Sequence, residues 1–153
     1  MSGPALIRGA SPGDLADLVA LLEAQFRDHG IALAASRLEA AVGGMLAEPA
    51  RGRILVAEVD GRIAGVAVLS FIWALEHGGH SAWLDELYVE PGLRGRGIGG
   101  ELLGRAVAEA RRLGCAAVDL EVERSHRRAE GLYRRAGFRR HARSRWVLPL
   151  QGL

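Results

Sequence analysis

The order of elements legible in this chain predicts a mixed α/β fold, a mostly antiparallel central sheet with helices on its faces. Three observations predict it. Apolar strands joined by a tight hairpin turn fill the first half. Strand–helix alternation fills the second. Between them, Leu93-Arg94-Gly95-Arg96-Gly97-Ile98-Gly99-Gly100 lies where a strand gives way to a long amphipathic run.

The elements follow in order. Ala5 to Arg8 reads as a short first strand. Ser11-Pro12-Gly13-Asp14 is a helix start, with a capping serine, proline at the first position and an acid three residues after the cap. Leu15, Leu18, Val19, Leu22 and Phe26 then recur at helical spacing, and Gly30 is the stop. A second helix is expected over about Ser36 to Leu46. Ile54 to Val59 and Ile63 to Trp73 are strands about the Asp60-Gly61 turn. Glu76 to His80 is a loop and Trp83 to Val89 the next strand. Ile98, Leu102, Leu103, Ala106, Val107, Ala110 and Leu113 form a strong helical stripe. Cys115 to Val122 is a strand, Ser125 caps a short helix through Ala136, Gly137 stops it, and Arg145 to Leu150 is a final strand.

The bulk properties bound the class. The 153 residues are 49% hydrophobic and 25% charged, ordinary for a globular protein, and predict one domain over residues 1–153. No apolar run is long enough to span a bilayer, and the first residues lack the pattern of a secretion signal. With a single cysteine, Cys115, no intramolecular disulfide is expected, and a cytoplasmic location fits. The net charge of +2 hides an asymmetry. Residues 1–93 hold 6 Arg against 12 Asp and Glu, whereas residues 94–153 hold 14 Arg against 6. A polyanion would therefore be met by the C-terminal half. That half lacks interleaved aromatics, so no nucleic-acid partner is expected. No His, Cys or Asp cluster shows metal-ligand spacing, and no metal is expected.

The glycine segment is a phosphate site by its chemistry. The first amides of a helix lack intrahelical partners and carry partial positive charge. Glycines let a bulky anion approach closely, and Arg94 and Arg96 add charge. A P-loop would need Gly-Lys followed by Ser or Thr, but Glu101-Leu102 follows Gly100. Gly95-x-Gly97-x-x-Gly100, with Asp119 about 20 residues on, matches a dinucleotide fingerprint. However, Glu90 to Arg94 separates it from the strand, and only one crossover follows.

A third reading uses more of the chain. Leu87-Tyr88-Val89-x-Pro91-x-x-Arg94-Gly95-x-Gly97-Ile98-Gly99 resembles the acyl-CoA pyrophosphate segment of the GNAT N-acetyltransferase superfamily. Leu120-x-Val122, Ala129-x-x-Leu132-Tyr133 and Gly137-Phe138 resemble its second block, and Ile7-Arg8-x-Ala10 its first strand. The resemblance implies the acyl-CoA N-acyltransferase fold, with a splayed strand pair, and acetyl-CoA as co-substrate.

Residue by residue, it implies that Leu87, Tyr88 and Val89 bind pantetheine through their backbones, the Leu87 amide serving the thioester oxygen. Arg94, Gly95, Arg96, Gly97, Ile98, Gly99 and Gly100 would wrap the pyrophosphate. His126, standing where the family often has asparagine, and Ala129 would line the cofactor. Tyr133 would be the general acid toward the departing thiolate. Trp83-Leu84-Asp85-Glu86-Leu87 is similar to the di- and polyamine acetyltransferase branch, in which an acidic pair meets a cationic substrate. Asp85 and Glu86, expected on opposite faces of the strand, would then attract and deprotonate the amine. Structural salt bridging is the competing role for the pair. Phe26, His29, Trp73, Glu76 and His77 are further acceptor-side candidates. The expected acceptor is the primary amine of a small molecule. A protein or peptide acceptor and a non-catalytic acyl-CoA-binding module are the alternatives. The terminal strand also raises the expectation of a homodimer.

Overall fold

The computed structural model describes residues 3–151. Five strands, β1 (Leu6–Gly9), β2 (Gly52–Val59), β3 (Arg62–Ala74), β4 (Gly79–Val89) and β5 (Val118–Leu120), form one sheet in the order β1-β2-β3-β4-β5. All neighbours are antiparallel except β4 and β5, which run parallel. The helices are α1 (Leu15–Asp28), α2 (Ala35–Ala47), α3 (Ile98–Arg112) and α4 (Arg127–Arg135).

The two sheet faces carry separate cores. Helices α1 and α2 bring Leu18, Leu21, Leu22, Leu38 and Val42 onto Ile54, Val56, Val66 and Val68. On the other face, α3 brings Leu102, Leu103, Ala106 and Ala110 onto Leu55, Ala57, Ala67, Leu69, Leu84 and Val89. Alternation along β2 and β3 supplies both sets. Asp60 and Gly61 both have positive φ, 51° and 75°, as the two-residue hairpin between these strands requires.

The α1 entry is built as its sequence implies. A 3-10 turn over Pro12–Asp14 precedes the helix, and the Asp14 carboxylate accepts the Ser11 N–H at 2.7 Å. The same carboxylate accepts from Arg8 at 2.8 Å, and Arg8 also reaches Glu58, tying the helix start to β1 and β2.

Two expectations at the C-terminal end are corrected. His126, rather than Ser125, is the N-cap of α4. The strand expected over Arg145 to Leu150 does not form. Trp146, Val147, Leu148 and Leu150 are exposed, and side-chain contacts hold this segment instead: Arg143 to Glu76, Arg145 to Glu121 and Arg37 to Gln151. Its apolar residues have a strand's composition but face no core. Strand β5 is also shorter than the apolar run Cys115 to Val122, for a reason that shapes the site.

Candidate active site

Strand β4 pairs with β5 through only three residues, Ala82, Trp83 and Leu84 against Val118, Asp119 and Leu120. Beyond Leu84 the strands part, while β4 stays paired with β3 to Val89. The splay expected from the family resemblance is therefore present.

A β-bulge sits at the parting point. Val68 opposes Glu86 but Leu69 opposes Leu84, leaving Asp85 as the extra residue on β4. A bulge reverses everything that alternates along a strand. Before it, the Ala82 N–H reaches the Ala117 carbonyl, and the His80 carbonyl accepts from Ala116, so even-numbered residues serve the β5 side. After it, the Glu90 N–H reaches the Ala64 carbonyl, so even-numbered residues serve β3. The backbone groups of Leu87 and Val89 therefore turn toward the side that β5 has left, while those of Tyr88 stay in the ladder with Val66. The Val89 carbonyl accepts from Arg94 Nε at 2.8 Å.

Side chains reverse as well. Leu84 packs on the α3 face before the bulge, and Leu87 and Val89 pack there after it. Glu86 and Tyr88 turn to the α1 side. The Tyr88 hydroxyl donates to Asp28 at 3.0 Å, and the Arg94 guanidinium lies over its ring, 5.1 Å from the centroid. Asp85 accepts from the Ser70 hydroxyl, and Ser70 follows Val66 and Val68 along the α1-facing row of β3. The two acids are therefore not on opposite faces, as a regular strand would place them.

Their environment raises both pKa values. Glu86 is half-buried and is pushed up to about 7, first by desolvation and then by the Asp85 charge, opposed by a hydrogen bond from Gln25. Asp85, open to solvent at one side, is raised by desolvation against the favourable Ser70 bond and the nearby Arg145 charge. Tyr133 on α4 packs edge-on against Phe138, with centroids 5.9 Å apart. Burial raises its phenol pKa, and the Glu86 charge adds to the rise. Glu86 and Tyr133 thus share one electrostatic environment at the mouth of the splay.

At the end of β4, Gly95 and Gly97 have φ of 79° and 84°, and Gly97 is the N-cap of α3. Intrahelical bonding then begins with the Glu101 N–H on the Gly97 carbonyl, which leaves the amides of Ile98, Gly99 and Gly100 without partners in the helix. Leu132 of α4 lies 3.8 Å from where a Gly99 Cβ would stand, and the Arg128 guanidinium 3.4 Å from that of Gly95. Arginine thus flanks the turn from α4 as well as from Arg94 and Arg96. An open groove of about 530 Å³ continues from Gly100 between α3 and α4, lined by Leu103, Val107, Arg111, Leu132 and Arg135. Neither Glu86 nor Tyr133 lines it.

Other expected residues divide. His29, at the end of α1, and His126 stack obliquely, centroids 5.1 Å apart, bridging α1 and α4. Ala129 lies in the first turn of α4. Phe26 packs with the α1–α2 core. Trp73 pairs with His80 near the start of β4, so it stands some 17–20 Å along the strand from Glu86. Glu76 lies beyond it, bound to Arg143. These two are not brought to the acid pair. The fold does assemble a group that spacing could not show. One donor atom each from Glu76, His77 and Asp119 lie within 4.8 Å of one another. His77 already contacts Asp119 at 2.8 Å.

Sequence reading missed Gln25. It is 2% exposed and follows Leu18, Leu21 and Leu22 on the buried stripe of α1. A polar residue at a core position of an apolar stripe was the available signal.

The sequence model of the Acetyltransferase (GNAT) family matches residues 16–138, and the chain belongs to that family. It is 33% identical over 134 residues to the mycothiol acetyltransferase of Propionibacterium freudenreichii, covering 82% of this chain and 40% of that one. It is 37% identical over 101 residues to the streptothricin acetyltransferase of Streptomyces lavendulae, covering 62% and 49%. The chain thus spans half or less of these curated relatives. A predicted acetyltransferase of Clostridium acetobutylicum, solved with acetyl-CoA, has the same fold, with a TM-score of 0.80 at 24% identity, covering 94% of this chain and 96% of that one. Among the described residues, no helix is long and apolar enough to cross a membrane.

Proposed function

We propose that this chain transfers the acetyl group of acetyl-CoA to a primary amine of a small molecule that arrives as a cation. The observation that carries the reading is the bulge at Asp85. It turns the Leu87 N–H into the splay and Glu86 toward the acceptor side in one stroke.

The residues present fit acetyl-CoA. A strand edge free of β5 matches an extended arm that hydrogen-bonds to backbone. The glycine turn, with Arg94, Arg96 and Arg128 about it, matches a pyrophosphate. Acetyl-CoA supplies a thioester carbonyl activated for acyl transfer. Leu87 and Val89 hold the arm by their backbones, and the Leu87 N–H stabilises charge developing on the carbonyl oxygen. Asp85 and Glu86 attract the ammonium, and Glu86 takes its proton, directly or through a water. A carboxylate titrating near neutrality is suited to that exchange. Tyr133, kept protonated by its raised pKa, gives its proton to the leaving thiolate. His126 and Ala129 line the cofactor side, while Phe26 and His29 are the acceptor-side candidates nearest this arrangement.

The relatives' names, mycothiol and streptothricin acetyltransferase, support a small-molecule acceptor. The acidic pair favours a cationic one. The reading includes a single catalytic domain in the cytoplasm, with no metal and no nucleic-acid partner. It also includes a homodimer that covers the exposed Trp146, Val147, Leu148 and Leu150. The test is CoA release with a panel of diamines, aminoglycosides, amino acids and peptides. Turnover with small cationic amines supports the reading. Turnover with peptides alone moves the acceptor to protein, and tight acetyl-CoA binding without any turnover contradicts the enzyme.

A further inference from the structure

Gln25 occupies a place where an apolar side chain belongs. Its neighbours on the α1 stripe are leucines, and it is almost wholly excluded from solvent. Burying an amide without partners is unfavourable, so its hydrogen bonds must be accounted for. One end is satisfied by the Glu86 carboxylate. The other is not: Gln25 Oε1 is buried with no hydrogen-bond partner. A half-satisfied amide against a carboxylate is an incomplete network in one protonation state of the acid.

We propose that Gln25 is the positioning residue for Glu86. Its amide N–H holds the carboxylate, and its carbonyl, after rotation about the terminal C–C bond, accepts the hydrogen of the carboxylic acid. The inference rests on the reading of Glu86 as the base. In that reading an N–H bond of the ammonium breaks, its electron pair stays on nitrogen, and an O–H bond forms on Glu86. The neutral acid then presents a donor where the carboxylate presented an acceptor. A primary amide matches both states, because it carries a donor and an acceptor on one rotatable group. The orphaned Oε1 is the acceptor held for the protonated state. A leucine, as elsewhere on the stripe, would pack equally well and serve neither. The other charged or titratable groups about Glu86 are Asp85 on its own strand, with Arg145 beyond it, Tyr133 from α4, and the Tyr88–Asp28 pair with Arg94 further along β4. Of these, only the two tyrosine hydroxyls carry both a donor and an acceptor; that of Tyr88 is bonded to Asp28, and Tyr133 meets Glu86 through charge rather than a hydrogen bond.

The test is a pH titration of the full chain by NMR with ¹³C-carboxyl-labelled glutamate, Glu86→Gln assigning the Glu86 signal. Gln25→Met keeps the volume and removes both hydrogen bonds. The expected result is a Glu86 midpoint about one pH unit higher than in the unsubstituted protein, because the bond lost from the charged form is roughly twice as strong as the one lost from the neutral acid. An unchanged midpoint in folded Gln25→Met overturns the proposal. Should that variant not fold, the unsubstituted protein still decides. The Gln25 side-chain NH₂ resonances must titrate with the Glu86 midpoint, and pH-invariant resonances overturn it. Failure of the base reading is separately visible. It leaves these titrations as expected while Glu86→Gln retains turnover.

Discussion

The carboxylate of Glu86 lies close enough to the phenol of Tyr133 that its charge raises the phenol pKa. One side chain comes from β4 and the other from α4, and the open side of the β4–β5 splay lies between the two elements. A carboxylate and a phenol therefore stand together near the place where the Leu87 N–H is offered. The proposed direct transfer to an amine uses this disposition, one proton leaving the nucleophile and one arriving at the leaving group.

Tyr133→Phe removes the donor and keeps the ring packed on Phe138. It is expected to lower the rate of acetyl transfer about 10–100-fold, at the low end of general-acid effects because a thiolate leaves readily. Acetyl-CoA affinity should stay within about twofold. Steady-state kinetics together with calorimetric titration check this. Equal losses in both would make Tyr133 a packing residue.

Glu86 also predicts a stability profile. Its folded pKa is raised to about 7, so the native state holds a proton that the unfolded chain releases near pH 4.3. Stability from this group is complete below about pH 4.3 and is lost as pH rises to 7. Glu86→Gln should therefore match the unsubstituted protein near pH 4 and exceed it above pH 7, by at most about 4 kcal/mol. Denaturant unfolding at the two pH values measures it. An equal difference at both would contradict a buried, titrating Glu86.

The opposite sign is expected at Asp14. Its pKa is lowered, first by the Arg8 hydrogen bond, so its contribution is present above the ordinary carboxylate range and is lost as pH falls. Asp14→Ala should cost about 1–3 kcal/mol at pH 7, through the lost bond to the Ser11 N–H and the lost Arg8 ion pair, and much less near pH 2. Thermal unfolding across that range tests the sign.

Gly97→Ala places a Cβ on a residue at φ 84°. The strain should cost about 1–2 kcal/mol. The turn that leads into the first α3 amides should be disturbed with it, weakening acetyl-CoA binding about tenfold or more. Lost stability with unaltered affinity would show that the turn does not grip the anion.

Much of this was legible in the chain, and the failures have physical causes. The α3 stripe from Ile98, the Asp60-Gly61 turn and the glycine segment are local patterns, and each forms where the sequence places it. The bulge at Asp85 is not local. It depends on pairing with Val68 and Leu69 of another strand, so alternation along β4 alone put Asp85 and Glu86 on opposite faces. Arg145 to Leu150 has strand composition but finds no strand beside it, because β5 ends at Leu120. Gln25 was hidden for another reason. Helical periodicity weighs apolar residues, and its significance is that it is polar. Trp73 and Glu76 were acceptor-side candidates through the family resemblance, and an extended strand carries them to the end away from the acid pair.

In the proposed reaction Glu86 is the base for an incoming ammonium at an acetyl-CoA site. The most direct test of that role is CoA release with a cationic primary amine that the unsubstituted protein turns over, measured for Glu86→Gln beside its acetyl-CoA dissociation constant. Turnover is expected to fall by about 10²–10⁴-fold, with the dissociation constant within about twofold. Unchanged turnover by Glu86→Gln would contradict it.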